Sequence, residues 1–228
     1  MFLRKWEDLP KEMQLEEVKP YYDSLQKKKV SLFFKRLFDI VVSLILLIIL
    51  SPLFLIIAIA IKLDSKGPVF FRQVRVTQYC KEFRIFKFRT MVNDAEKIGS
   101  QVTVNHDSRI TKVGSFIRDS RLDEIPQLLN VLTGDMSFVG TRPEVIKYVN
   151  AYTPEMMATL LLPAGVTSLT SIEYKDESTL LSKSNKVDQT YINEILPGKM
   201  KYNLEGILEF NFISDIKLML MTAWTIVK

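Results

Sequence analysis

The stretch IVVSLILLIILSPLFLIIAIAI, residues 40–61, carries no charged side chain over its 22 positions, and the rest of the chain is read outward from it. As an α-helix rising ~1.5 Å per residue it would reach roughly 33 Å, enough to cross the hydrocarbon core of a bilayer. It is not a cleavable signal peptide. It starts too far from Met1, its apolar run is too long, and no small-residue cleavage site follows. Ser51-Pro52 sits at its midpoint, where proline removes a backbone donor and crowds the preceding turn, so a break is predicted there. Both flanks are basic, with Lys27, Lys28, Lys29, Lys35 and Arg36 before it and Lys62, Lys66, Arg72 and Arg75 after it. Basic residues mark the cytoplasmic side, and here they mark both ends. The residues leave two topologies open: a kinked helix that crosses, and a helix that enters, bends and returns to the same face. Asp39, three residues after Arg36, is placed to pair with it on one helical face.

This segment explains why a chain of 228 residues with 25% charged residues still has a mean hydropathy just above zero. One Cys, Cys80, rules out an intramolecular disulfide framework and fits a reducing compartment. One His, His106, argues against a histidine zinc site, so any metal should be a hard ion on carboxylates. The net charge of +5 is uneven. The first 100 residues carry 18 Lys and Arg against 11 Asp and Glu, and the remainder 13 against 15. Such a basic excess suits anionic lipid, a phosphorylated substrate or nucleic acid, and equally a solvated surface. The acidic second half and the lack of a base-reading motif count against nucleic acid.

Residues 1–30 read as a short arm lying along the membrane or the domain, with Trp6, Leu9, Met13, Tyr21 and Tyr22 among charges. Segments 69–76 (VFFRQVRV) and 83–89 (FRIFKFR) predict a short β-hairpin. Helices are predicted over 92–101, within 120–133 with Gly134 as the stop, over 143–152, 154–162, 187–196 and 203–226; 163–174 reads as irregular or extended.

With His nearly absent, chemistry must rest on carboxylates, hydroxyls, lysine or a metal. The densest candidate is RITKVGSFIRDSRLDEIPQLLNVLTGDMSFVGTRPE, residues 109–144. Ser120-Arg121-Leu122-Asp123 has the shape of a capping box, with Asp in place of the usual Glu or Gln, and Pro126 argues that the helix begins nearer to itself. Asp123 and Glu124 would then sit at a helix mouth, where free N–H groups favour anions. Adjacent helical residues point about 100° apart at ~3.6 residues per turn, so the two carboxylates suit different jobs. One would attack or accept a proton and the other would hold a divalent cation. The plain alternative is a pair of acids complementing a helix dipole. Arg109, Arg118, Arg121 and Arg142 suit bidentate phosphate recognition, or a surface ion-pair network. Neither a nucleophile elbow, a phosphate-binding Gly-rich loop nor a dinucleotide fingerprint occurs.

From about Phe33 to Thr225 the chain resembles the bacterial sugar transferases of the monotopic phosphoglycosyl transferase family. The resemblance rests on Lys35-Arg36 with Asp39, the Ser51-Pro52 pair, IKLDSKGPVFFRQ at 61–73, KFRTM at 87–91, DSRITKVG at 107–114, LDEIPQLLNVLTGDMSFVG at 122–140 and the TRPE that follows. It departs from the family at Val76-Thr77-Gln78-Tyr79-Cys80, at Thr141 and at Pro163-Ala164-Gly165-Val166-Thr167-Ser168.

The resemblance implies an α+β, mainly helical, membrane-associated protein. An arm over 1–32 would precede a re-entrant helix over 33–62, broken at Ser51-Pro52, and a cytosolic catalytic domain over 63–228. Asp123 would attack the β-phosphate of a UDP-sugar and release UMP, and polyprenol (undecaprenyl) phosphate would then take the phosphosugar. Glu124 would hold Mg²⁺. Lys87, Arg89, Arg109, Arg118 and Arg142 match positions near the phosphates or nucleotide. The expected partners are the UDP-sugar, polyprenol phosphate and the lipid bilayer, with no nucleic acid; a homodimer and downstream glycosyltransferases are compatible. The expected place is the cytoplasmic face of the bacterial inner membrane, with both termini cytoplasmic. With only about 30 residues before the matched region, the chain reads as the minimal catalytic form of the family.

Overall fold

A computed structural model describes residues 3–93, 95, 107–174 and 186–227. Most of the helix expected over 92–101, and His106, lie outside the described residues.

The N-terminal arm ends in helix α1, Lys19–Gln26, opened by Pro20. Leu9, Met13, Val18, Tyr21, Tyr22 and Leu25 are buried together with Leu160, Leu161, Leu204 and Ile207, so the arm lies along the domain and shares its core.

Helix α2 runs from Lys29 to Asp64, 36 residues, or about 54 Å if straight. It is long and apolar enough to cross a membrane. Its buried residues, Leu32, Lys35, Asp39, Ser43, Ile57 and Ile61, recur at helical spacing and form one stripe. The opposite side exposes Ile48, Ile49, Leu55 and Ile56. Both halves of the stripe pack on the same domain. Phe38, Val42, Leu46, Leu47 and Leu50 meet the cluster of Leu128, Val131 and Phe138, whereas Leu53, Phe54, Ile57 and Ile61 meet Phe88 and Ile117.

The expected break at Ser51-Pro52 does not interrupt the helix, because Pro52 lies inside one continuous element. Proline has no N–H for the carbonyl four residues back, which is that of Ile48. The Ser51 hydroxyl donates to this oxygen at 2.8 Å. The Ser-Pro pair therefore removes one rung of the helix and refills its acceptor. The expected Arg36–Asp39 pair is also replaced. Arg36 donates to the Val131 and Leu132 carbonyls at 2.7 and 2.8 Å, while Asp39 accepts from Ser137 Oγ and the Phe138 amide, both at 3.2 Å. Open main-chain acceptors and donors of the domain outcompete a local side-chain pair.

The predicted hairpin is present. Strands β1, Phe70–Val76, and β2, Glu82–Phe88, pair antiparallel, with Phe70 opposite Phe88 and Val76 opposite Glu82. Helix α3, Lys112–Asp119, is capped by Thr111, whose hydroxyl accepts from the Gly114 amide. Helix α4, Gln127–Thr133, ends on Gly134, whose φ of 91° lies in the left-handed region that glycine tolerates. Strands β3, Met136–Val139, and β4, Ala164–Thr167, form a parallel pair; β4 falls in the stretch 163–174 read as irregular or extended, which also holds a short helix, Leu169–Glu173, capped by the Ser168 hydroxyl. A Cβ on Gly165 would lie 2.2 Å from the Gly140 nitrogen, so this approach requires glycine.

The helix expected over 143–152 shrinks to Ile146–Val149, and 154–162 forms a 3₁₀ segment, Glu155–Leu161. A π-helical turn, Tyr191–Ile195, leads into helix α5, Leu196–Leu208. The helix expected over 203–226 is split. Phe210 turns inward, and Asn211 Oδ1 accepts the Ile213 amide at 2.9 Å, starting helix α6, Phe212–Val227, afresh.

Candidate active site

The Asp123-Glu124 pair lies in a single 3₁₀ turn, Leu122–Glu124, entered through Arg121 in the left-handed region at φ 53°. The capping box expected from Ser120 does not form. Its hydroxyl donates backwards to Phe116 O at 2.6 Å, closing α3 instead of opening the next helix. Helix α4 begins after Pro126, as its fixed φ favours, and leaves the two acids at its mouth.

Asn130, a polar residue inside the apolar run LLNVL, locks α4 to β2. Its Oδ1 accepts the Phe86 amide at 2.8 Å and its Nδ2 donates to Arg84 O at 3.1 Å. The next residue on β2, Lys87, then reaches Glu124 Oε1 at 2.8 Å and lies 3.9 Å from Asp123 Oδ2. From the other side Arg142, in the loop after β3, donates to Glu124 Oε1 at 2.6 Å.

These contacts drive the two acids apart. Burial opposes ionisation of Glu124, but Arg142 and Lys87, by charge and by hydrogen bond, outweigh it and hold the carboxyl well below the usual carboxylate range. Burial raises Asp123 from its ordinary value, and the charge of Glu124 adds to the rise against Lys87, Arg118 and Arg142. One acid is kept as a fixed anion while the other becomes the more basic, hence more nucleophilic, carboxylate. Cys80 offers no competing nucleophile, since burial pushes its thiol up to about 11.

The structure thus brings Lys87, Asp123, Glu124 and Arg142 together, with the charge of Arg118 acting on Asp123. It takes the other two predicted cations elsewhere. Arg109 forks onto Asp107, with its shortest contact at 2.6 Å, and donates to Ala95 O. Arg89 donates to Ser65 O and Lys66 O, both at 2.7 Å.

Reading the sequence missed a buried group behind Arg142. Tyr191 donates to Glu144, Lys199 Nζ lies 3.0 Å from the Tyr191 hydroxyl, and Arg75 donates to Pro143 O at 3.0 Å. Only the charged residue at the end of TRPE signalled it. Among the described residues no group of three or more His, Cys, Asp or Glu surrounds a possible metal position. A hard cation that shares its shell with substrate phosphates needs only one or two carboxylates, and Glu124, kept ionised beside Asp123, meets that requirement.

A profile of the family described as bacterial sugar transferase matches residues 30–228. The chain belongs to the bacterial sugar transferase family. Among relatives, a UDP-glucose:undecaprenyl-phosphate glucose-1-phosphate transferase of Klebsiella pneumoniae is 38% identical over 214 residues, covering 91% of this chain and 43% of that protein. A UDP-N-acetylgalactosamine-undecaprenyl-phosphate N-acetylgalactosaminephosphotransferase of Aeromonas hydrophila is 44% identical over 133 residues, 58% of this chain and 31% of that protein. A Bacillus subtilis relative, named as a putative undecaprenyl-phosphate N-acetylgalactosaminyl 1-phosphate transferase, is 46% identical over 110 residues, 48% of this chain and 62% of its own length. The chain thus spans less than half the length of the first two relatives. The family match covers α2 from its second residue, Val30, and every strand described here.

Proposed function

We propose that this sugar transferase family member moves a sugar phosphate from a UDP-sugar to a polyprenol phosphate such as undecaprenyl phosphate, an early membrane step in polysaccharide assembly. The observation that carries the reading is the acid pair at the mouth of α4, with Lys87 at 2.8 Å from Glu124 and 3.9 Å from Asp123 and Arg142 at 2.6 Å from Glu124. The names of the relatives supply the substrate class.

The Asp123 carboxylate attacks the β-phosphorus of the UDP-sugar. The bond from that phosphorus to the bridging oxygen breaks, and its electron pair leaves with UMP, giving an aspartyl-phosphosugar. An oxygen of polyprenol phosphate then attacks the same phosphorus and restores the carboxylate. Two anions must meet in each step, so positive charge is the main requirement. Lys87 and Arg142 supply it beside the attacking group, and Arg118, whose charge acts on Asp123, does so for the nucleotide phosphates. Mg²⁺, held by Glu124, would neutralise charge on the diphosphate when bound.

The same reading has α2 in one leaflet, entering and returning on the cytoplasmic face by bending at Ser51-Pro52, where its continuous ladder lacks one rung. Both of its halves pack on one domain, and its exposed side is Ile and Leu around Ser51-Pro52. A helix held at both ends by one domain brings those ends to one side of the bilayer, where a polyprenol phosphate head group lies.

The test is UMP release from a panel of UDP-sugars with undecaprenyl phosphate, using wild type and Asp123→Asn. Release by the wild type alone is expected. Full activity in the Asn variant would remove Asp123 as nucleophile, and silence of both Asp123→Asn and Glu124→Gln would favour a lipid-binding scaffold.

A further inference from the structure

Arg89 lies two residues beyond Lys87, in the KFRTM stretch whose cations were expected at phosphates. It is only 5% exposed. Its side chain is taken up by the C-terminal end of α2. Nη1 donates to Lys66 O at 2.7 Å, and Nη2 to Ser65 O at 2.7 Å, to Ser65 Oγ at 3.0 Å and towards Ile61 O at 3.5 Å. A helix C-terminus exposes carbonyls and carries partial negative charge, so it is a natural seat for a guanidinium. Gly67, at φ +129°, completes the seat, since a Cβ there would lie 1.9 Å from Arg89 Nη1.

This clamp closes a ring of contacts. The first half of α2 is pinned to the end of α4 by Arg36, on Val131 O and Leu132 O. Helix α4 is pinned to β2 by Asn130, on Phe86 and Arg84. The residue following β2, Arg89, pins the second half of α2, and Phe88 packs there against Phe54, Ile57 and Ile61. Glu124 lies just before α4 and Lys87 lies on β2, so both sit inside the ring.

We propose that Arg89 is a positioning residue that ties the membrane helix to the active site, setting Lys87 against Glu124, and not a phosphate contact. The assignment rests on the proposed reaction only for its catalytic readout. In that reaction small misplacement of charged groups is costly, and a shift of about 1 Å can cost about 100-fold in rate.

The test uses the purified full chain in lipid nanodiscs, with Arg89→Lys, Arg89→Ala and Gly67→Ala. Gly67→Ala keeps the guanidinium but takes away its seat. UDP, which carries both phosphates and no sugar, probes phosphate binding by calorimetry. Turnover is read with a UDP-sugar that the wild type accepts, and amide exchange is read at Ser65, whose N–H bonds Ile61 O. The expected result has three parts: the UDP dissociation constant stays within about twofold, Ser65 exchanges faster, and kcat falls at least about tenfold. If Arg89→Ala does not fold, the other two variants carry the same reading. A UDP affinity weakened about tenfold or more with Ser65 exchange unchanged would return Arg89 to the phosphates. Faster exchange with unchanged kcat and UDP affinity would make the clamp merely structural and would also overturn the proposal. Loss of the transfer reading itself shows separately, as a wild type that neither binds UDP nor turns over.

Discussion

Asn130 Oδ1 accepts the Phe86 amide at 2.8 Å, and this contact brings β2 and α4 together so that the neighbouring Lys87 meets Glu124. A mid-helix asparagine thus aligns the cation and the acids from 37 residues apart in sequence. Asn130→Ala removes the acceptor for Phe86 and the donor to Arg84. A loss of about 1–3 kcal/mol is expected in urea denaturation, with a fall in transfer rate that Asn130→Asp only partly repairs, because the aspartate cannot donate to Arg84 O.

Asp123→Asn should abolish transfer yet stabilise the fold at neutral pH. The folded state raises the pKa of Asp123, so its ionisation is less favourable folded than unfolded, and stability falls as pH rises above the ordinary carboxylate range. Asparagine escapes this loss. Unfolding curves at pH 7 should favour the variant, and the difference should shrink in acid. A variant less stable than wild type at pH 7 would contradict the strained carboxylate.

Glu124→Gln should act in the opposite sense. The carboxylate accepts from Lys87 at 2.8 Å and Arg142 at 2.6 Å, and its neutralisation removes both of these partly buried ion pairs at once. A loss of about 3 kcal/mol is expected at neutral pH, read by thermal or urea unfolding, together with loss of transfer.

Asp107 supplies a control away from the acid pair. The hydrogen bond from Arg109 lowers its pKa to about 2. A depressed carboxylate stabilises above its ordinary pKa, near 4, and loses that contribution as pH falls towards about 2. Asp107→Asn should therefore unfold earlier than wild type at pH 7, and the two curves should converge near pH 2.

Topology is tested by tags at Met1 and Lys228. Both should be reached only from the cytoplasmic side in intact cells. A periplasmic N-terminus would refute re-entry of α2.

The apolar stretch 40–61, the hairpin at 69–89, the helix stop at Gly134 and the acids at 123 and 124 were legible in the sequence. Each follows from local chemistry: hydrophobic run, alternation, glycine, charge. The elements that misled are those in which main-chain groups of distant segments took the side chain. Arg36 preferred the end of α4 to Asp39, Ser120 closed α3 instead of opening the next turn, and Arg89 went to the end of α2 instead of joining Lys87. The parallel pair of β3 and β4 depends on the close approach of Gly140 and Gly165, 25 positions apart, and neither strand alternates enough to announce it. The sequence alone determined that the chain carries one long apolar helix and the motifs of the bacterial sugar transferase family. Only the tertiary structure decided which acid stays ionised and which cations stand beside it. Periodicity reports what a residue's own segment does with it, whereas burial and partners, which set a pKa or occupy a guanidinium, come from elsewhere in the fold.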